Sequence, residues 1–173
     1  MITLKPISIL DKEMEECINL SVTEEQNNFV ASNSHSLAEA YDVNKKYAEK
    51  GEGSIAAPYA AYKDGQMVGF VMIGYLHPRN DKDVENYCGE PFYYIWRLFV
   101  DKQYQGKGFG TEILRLAMEK VKTKYLGKAN WCFSSYVPEN TASKKTFAAY
   151  GFSENDCVDH GESICKIDIK KIS

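Results

Sequence analysis

Residues 100–110 read Val-Asp-Lys-Gln-Tyr-Gln-Gly-Lys-Gly-Phe-Gly and separate two segments with different patterns of apolar residues. The segment before them, 92–100, is aromatic and β-branched, which predicts a buried strand. Residues 111–121 after them carry apolar side chains at helical spacing, which predicts a helix. The turn would present the first backbone amides of that helix, which have no intrahelical partners and lie at the positive end of its dipole. This geometry favours a bound phosphate.

Known phosphate-binding motifs fit this turn to different degrees. A P-loop requires G-x-x-x-x-G-K-[ST], which is absent, and a dinucleotide-binding unit requires its G-x-G-x-x-G early in a βαβ unit. The string Gln105-x-x-Gly108-x-Gly110 behind Leu98-x-Val100 instead resembles the GNAT superfamily of acyl-CoA-dependent N-acetyltransferases. A glycine-rich loop without a ligand and a nucleotide-binding domain of another kind stay open as alternatives.

Composition narrows the class of protein. A chain of 173 residues, with 44% hydrophobic and 26% charged residues, is typical of one soluble globular domain. The net charge of −3 argues against a nucleic-acid-binding surface. No apolar run is long enough to predict a membrane span, and residues 1–6 lack the apolar core of a signal peptide. The five cysteines and three histidines show no metal-site spacing and indicate reduced thiols in the cytoplasm.

The order of predicted elements is the GNAT order across almost the whole chain, as one domain over residues 1–173. We predict an α/β fold with a mixed central sheet of six to seven strands and about four flanking helices. Asp-Gly at 64–65 predicts a hairpin, Ser36-x-x-Glu39 fits the capping box of a helix start, and residues 77–90 read as a long loop. Strands are predicted at 2–7, 57–62, 67–76, 92–100, 130–137, 152–158 and 163–169, and helices at 11–20, 36–50, 111–121 and 140–150.

The resemblance implies a site for acetyl-CoA. In the family, a strand edge beside the pantetheine arm offers amides and carbonyls, and one amide holds the oxyanion. A second family signature matches Asn140-x-x-Ser143-x-x-x-Phe147, followed by Gly151-Phe152. Asn140 is also an ordinary helix N-cap. The cofactor-binding residues predicted in this way are Leu98, Phe99, Val100, Gln105, Gly106, Lys107, Gly108, Phe109, Gly110, Thr111, Asn140 and Ser143.

Catalytic residues are less clearly indicated, because two family positions are changed. Phe147 stands where the family has the tyrosine that protonates the leaving thiolate. Trp96 stands where the animal polyamine acetyltransferase of this family has its carboxylate base. Tyr150 and Tyr136 are the nearest tyrosines, and a thiolate that leaves unaided is the alternative. The residues assigned are Tyr150 and Glu90 for catalysis, and Glu24, Glu25 and Tyr93 for the substrate.

The function predicted from the resemblance is acetyl transfer from acetyl-CoA to a small-molecule primary amine, without a metal. Bacterial diamine and polyamine acetyltransferases are similar at residues 96–101 and 104–108, and at the shorter matches 20–22, 68–70 and 161–162. A diamine or polyamine is therefore the expected acceptor, with an aminoglycoside or a protein amine as alternatives. A CoA-binding regulatory module is the alternative that Phe147 favours. No nucleic-acid or membrane partner is expected, and a homodimer is a family expectation.

Overall fold

The computed structural model describes residues 1–8, 12–78 and 81–172, with the backbone alone at 81–83. Its strands are β1 (Ile2–Pro6), β2 (Ile55–Lys63), β3 (Gln66–Leu76), β4 (Phe92–Val100), β5 (Trp131–Tyr136), β6 (Ser153–Asp159) and β7 (Glu162–Asp168). Its helices are α1 (Lys12–Asn19), α2 (Asn33–Lys50), α3 (Asp81–Asn86), α4 (Phe109–Lys122) and α5 (Thr141–Tyr150). The strands form one sheet in the order β1-β2-β3-β4-β5-β7-β6.

The centre of the sheet opens between β4 and β5. Every other neighbouring pair of strands is antiparallel, but β4 and β5 are parallel and pair only at Tyr93–Cys132 and Tyr94–Phe133. Ile95 lies opposite Ile73 and Arg97 lies opposite Met72, so Trp96 is an extra residue in β4. Such a β-bulge bends the strand that carries it. The two strands diverge beyond Tyr94 and leave a gap in the sheet.

The bulge also changes which side chains of β4 face each layer of helices. Tyr93 and Ile95 pack in the core beneath α4 and α5. Trp96 contacts the apolar clusters on the opposite face of the sheet, and the Arg97 side chain reaches α2 on that same face. Strict alternation would have separated Trp96 from Arg97. The bulge places both of them beside the gap.

The predicted fold class is confirmed, with a mixed sheet of seven strands in the described residues. Two details of the prediction are wrong. Helix α2 begins at Asn33, because Ser32 is the N-cap and accepts a hydrogen bond from the His35 amide at 3.2 Å. The predicted loop at 77–90 contains α3, so the described residues form five α-helices. Residue 11 of the predicted first helix and residues 79 and 80 of this loop lie outside the described residues.

Candidate functional site

The gap between β4 and β5 is the middle of a cleft with two connected lobes, each of about 260 Å³. The glycine lobe is lined by Val22, Gln26, Phe29, Val30, Leu98, Phe99, Val100, Gln105, Gly106, Gly108, Gly110, Thr111, Asn140, Ala142, Ser143 and Thr146. The aromatic lobe is lined by Phe29, Val30, Ala31, Tyr94, Ile95, Trp96, Arg97, Leu98, Ser134, Ser135, Tyr136, Asn140, Ser143, Phe147 and Glu162. A ligand in one lobe can therefore reach into the other past Leu98.

The glycine lobe ends at the N-terminus of α4. Gly106 and Gly108 have φ values of 73° and 76°, a backbone region that residues with a side chain enter only at a cost. No side chain caps the helix, and its first backbone bond runs from the Glu112 amide to the Gly108 carbonyl at 3.1 Å. The amides of residues 109–111 therefore lack intrahelical partners and remain available to a phosphate.

The edge of β4 contributes backbone groups to the same cleft. The Asp101 amide donates to the Val68 carbonyl at 3.0 Å, so in the alternating antiparallel ladder the amides of Phe99 and Asp101 face β3. The amide and carbonyl of Leu98 consequently face the gap, where β5 has turned away. Farther back, Ser134 Oγ satisfies the carbonyl of Ile95 at 2.9 Å. The backbone groups of β4 that lack a partner strand are thus confined to the residues that line the cleft.

Residues 21–31, here called the roof segment, cover the glycine lobe. Gln26 and Gln105 exchange side-chain hydrogen bonds of 3.2 and 2.8 Å, and Gln105 Nε2 also donates to the Val100 carbonyl at 3.0 Å. The buried carboxylate of Asp101 accepts from the Ser21 amide at 2.9 Å and from the Gln103 amide at 3.0 Å. These bonds join the roof segment to the glycine-rich turn.

The aromatic lobe contains a hydrogen-bonded chain that crosses three strands. The Tyr94 hydroxyl donates to Ser135 Oγ at 2.7 Å, and Ser135 Oγ donates to Glu162 Oε2. Burial raises the pKa of Tyr94 to about 12, so this hydroxyl stays protonated near neutral pH. Glu162 is therefore the acidic end of the chain.

One cation lines the aromatic lobe, and it is neutralised. The Arg97 guanidinium donates to Glu39 Oε2 at 2.8 Å, to Ser36 Oγ at 3.1 Å and to the Trp96 carbonyl at 2.8 Å. The ion pair clamps α2 against the bulge. Among the described lining residues, Glu162 is the one carboxylate, and no cation of the described residues forms an ion pair with it. The lobe therefore suits a cationic ligand.

Comparison with known proteins matches residues 16–152, more than half of the chain, to the model of the acetyltransferase (GNAT) family. The chain belongs to the GNAT family. This membership confirms the predicted family, the predicted enzyme class, an acetyltransferase, and acetyl-CoA as its acetyl donor. The glycine lobe fits acetyl-CoA. The uncapped amides at the start of α4 can bind its diphosphate, and the backbone of Leu98 can bind its amide-rich arm.

Several relatives of this GNAT chain align over most of their length. The probable spermine N(1)-acetyltransferase of Bacillus subtilis subsp. natto (strain BEST195) is 27% identical over 91% of this chain and 93% of its own length. The spermine/spermidine N(1)-acetyltransferase of Bacillus subtilis (strain 168) is 26% identical over the same shares. The structure of a PaiA N-acetyltransferase from Thermoplasma acidophilum in complex with coenzyme A superposes with a TM-score of 0.61, at 16% identity, covering 97% of this chain and 99% of that one. The last similarity shows the fold.

The predicted cofactor residues come together in the structure, since all but Lys107 and Phe109 line the glycine lobe. Lys107 Nζ donates to the Gln103 carbonyl at 3.0 Å, and the Phe109 ring packs against Tyr104. The Asn140 side chain caps α5 by accepting from the Ser143 amide at 3.1 Å. Asn140 therefore serves as an N-cap and also lines both lobes.

The residues predicted for catalysis and substrate binding line neither lobe of the cleft. Tyr93 is fully buried on the α4 face, where its hydroxyl donates to the Gly127 carbonyl at 3.1 Å. Tyr150 packs against the core beside Phe152, and burial raises the pKa of its hydroxyl. Glu90 is exposed before β4 and accepts from Asn130 at 3.0 Å. Glu24 and Glu25 are exposed on the outside of the roof segment.

The site residues that the sequence did not single out include part of the roof segment and Glu162. Gln26, Phe29 and Val30 belong to a polar segment without a local motif, although their position before α2 could have marked them as a connection over the sheet. Glu162 opens the last hairpin, and the Gly161-Glu162 match to polyamine acetyltransferases was its one available signal. Within the described residues, no three potential metal ligands lie together and no helix is long and apolar enough to cross a membrane.

Proposed function

We propose that this GNAT acetyltransferase transfers the acetyl group of acetyl-CoA to a primary amine of a small linear diamine or polyamine. The observation that carries the proposal is the aromatic lobe, where Glu162, the one carboxylate among the described lining residues, shares the lining with Phe29, Val30 and Trp96. Apolar and aromatic walls suit the methylene chain of such an amine, and an aromatic face also attracts a cation. The names of the two Bacillus relatives support the same acceptor class.

The donor would bind in the glycine lobe and the acceptor in the aromatic lobe, so that the two meet at Leu98. The amide of Leu98 faces that meeting point and would hold the negative charge that develops on the carbonyl oxygen of the acetyl group. Binding both reactants in one cleft would supply much of the rate through proximity. Asn140 Oδ1 is used in the helix cap, which leaves its Nδ2 group as a donor to the arm of the donor molecule.

An aminoglycoside fits this lobe less well than a linear amine. Such a molecule carries several ammonium and hydroxyl groups and needs several acidic partners, whereas the described lining offers one carboxylate in about 260 Å³. Release of free CoA from acetyl-CoA tests the choice, with 1,4-diaminobutane, spermidine, spermine, an aminoglycoside and a lysine-containing peptide as acceptors. We expect the linear amines to have the highest kcat/KM, by about tenfold or more, since one matched charge contributes roughly 1.4 kcal/mol or more. Faster release with the aminoglycoside or the peptide would contradict the proposed acceptor class.

A further inference from the structure

The carboxylate of Glu162 is held in place by two other strands of the sheet. It accepts a hydrogen bond from Ser135 on β5, which in turn accepts one from Tyr94 on β4 at 2.7 Å. Tyr94 pairs with Phe133 across the parallel strands, so Ser135 and Trp96, each two residues further on, lie at the same level of the gap. The Glu162 carboxylate therefore stands across the gap from Trp96, about one strand repeat of ~7 Å from the level of Leu98.

The reaction requires a proton acceptor in this lobe. A primary alkylamine with a pKa of about 10 is almost entirely an ammonium ion at pH 7, and an ammonium ion has no lone pair with which to attack. Two other ionisable side chains of the lobe offer no base: Arg97 is paired with Glu39, and Tyr136 donates its hydroxyl to Glu154 at 3.0 Å. The Trp96 indole can donate a hydrogen bond but cannot accept a proton.

Asp159 and Glu154 are two other acids of the last hairpin, which also carries Glu162. Asp159 lies opposite Glu162 in the register of β6 and β7, where it accepts from the Tyr87 hydroxyl at 3.3 Å and pairs with His160 at 3.0 Å. Glu154, farther along β6, pairs with Lys144 at 2.7 Å. Neither acid lines the aromatic lobe. Glu162 is thus the carboxylate that an ammonium ion in the lobe would meet.

We propose that Glu162 is the catalytic base of this enzyme, which binds the reacting ammonium group and takes its proton, with Ser135 as the residue that positions it. The nitrogen lone pair freed in this way forms the C–N bond with the acetyl carbonyl carbon, while a carbonyl electron pair moves to oxygen beside the Leu98 amide. As the carbonyl re-forms, the C–S bond breaks and its electron pair leaves with sulfur. The first proton passes from Glu162 to solvent, and the second proton of the nitrogen ends on the CoA thiol.

The inference rests on the proposed function and is tested by the pH dependence of kcat and KM with 1,4-diaminobutane. In Glu162→Gln, we expect kcat/KM at pH 7 to fall by about 10² or more, the usual contribution of a general base. The deficit should shrink as the pH rises toward ~10, because neutral amine then becomes available without the base. Glu162→Asp should keep the pH profile of the wild type at a lower rate. Glu154→Gln is the matched control, with a nearby carboxylate outside the lobe, and should behave as the wild type.

Three results would overturn the assignment: no loss in Glu162→Gln, a rise in KM with kcat unchanged at every pH, or a loss of equal size at every pH. Ser135→Ala provides a second variant should Glu162→Gln fail to fold, and we expect a smaller loss with the same dependence on pH. Binding of CoA to each variant shows that the glycine lobe is intact. A wild-type enzyme that turns over aminoglycosides but no linear amine would refute the proposed function instead, whereas amine turnover unaffected by the substitution refutes only the role of Glu162.

Discussion

Phe147 lines the aromatic lobe and has no hydroxyl group that could donate a proton. Its ring is 3% exposed, stacks on Tyr136 at 6.4 Å and meets Phe152 edge-on at 5.2 Å. Tyr136 donates its own hydroxyl to Glu154, so it is no ready substitute. We therefore expect the leaving sulfur to depart as a thiolate that takes up its proton afterwards.

Adding a hydroxyl at position 147 tests whether this departure limits the rate. In Phe147→Tyr, we expect kcat to change by less than about tenfold, because a thiol with a pKa of ~8.5 is a good leaving group near neutral pH. Steady-state release of CoA measures the effect, and Phe152→Tyr is the control, since it adds the same hydroxyl outside the cleft. A gain of about a hundredfold in Phe147→Tyr alone would show instead that proton donation limits the enzyme.

The positions of single site residues could be predicted where both residues of a motif lie on one element. The sequence places Asn140 and Phe147 on one helix, and the structure brings both to the cleft. The direction of the Tyr93 side chain could not be predicted, because the extra residue at Trp96 changes which side chains of β4 share a face. An unbroken aromatic run gives no local sign of such a bulge. Glu162 was missed for another reason: it contacts Ser135, a residue far away in the chain, which in turn binds Tyr94.

The roof segment and the glycine-rich turn are joined through Asp101. Its carboxylate accepts from the backbone of both, and the Lys102 amide adds a bond to the Ser21 carbonyl at 2.7 Å. Because Asp101 is 5% exposed, these charge-assisted bonds are shielded from water. One buried carboxylate therefore contributes two of the bonds that hold the roof segment over the glycine lobe.

Replacing that carboxylate by an amide should loosen the roof. In Asp101→Asn, one oxygen that accepts from a backbone amide becomes a donor, so we expect the free energy of unfolding to fall by about 1–3 kcal/mol. The KM for acetyl-CoA should rise more than kcat falls. Urea unfolding and steady-state kinetics measure the two effects. The exposed Asp64→Asn makes the same chemical change in a hairpin turn and should alter neither quantity; equal effects in both variants would contradict the role of Asp101.

Elements with strong local signals were predicted well, and those set by tertiary contacts were not. The hairpin at Asp64-Gly65 and the strand, turn and helix around residues 100–110 appear as expected. The start of α2 was misplaced because Ser36-x-x-Glu39 fits a capping box, whereas in the fold Ser36 is buried and Glu39 binds Arg97. A partner 58 residues away in the sequence overrides the local pattern.

On the scale of the whole molecule, the core holds three buried thiols in their neutral form. Burial raises the pKa of Cys17 and Cys165 to about 12, and that of Cys132 well above its ordinary value of 9.0. In the unfolded chain these thiols would ionise above pH ~9. The stability that comes from keeping them neutral is therefore fully present below pH 9 and is lost as the pH rises toward 12.

Alkaline conditions should destabilise the fold accordingly. Between pH 8 and pH 10 we expect the free energy of unfolding to fall by about 1 kcal/mol for each buried thiol. Urea unfolding with a reductant present measures this change, and Cys165→Ala should show a shallower dependence on pH than the wild type. A free energy of unfolding that stays constant over this range would contradict the claim that the folded protein keeps these thiols neutral.

The sequence order of strands and helices predicted the sheet, but the shape of the cleft required the structure. The two lobes form because a bulge in β4, a parallel contact of two residue pairs and a roof from residues 21–31 meet at one place. None of these features has a local sequence signal. The homodimer and the cytoplasmic location expected from the sequence stay predictions.

Acetyl-CoA should bind at the start of α4, and calorimetric titration of the protein with acetyl-CoA tests this binding most directly. A side chain at Gly110 would enter the glycine lobe without backbone strain, since its first atom lies in ordinary contact with Val100 Cγ2 at 3.6 Å. We predict heat of binding for the wild type, an affinity at least about tenfold weaker in Gly110→Leu, equivalent to roughly 1.4 kcal/mol, and wild-type affinity in Gly89→Leu, whose site lies outside the cleft. No heat with the wild type, or an unchanged affinity in Gly110→Leu, would contradict the account.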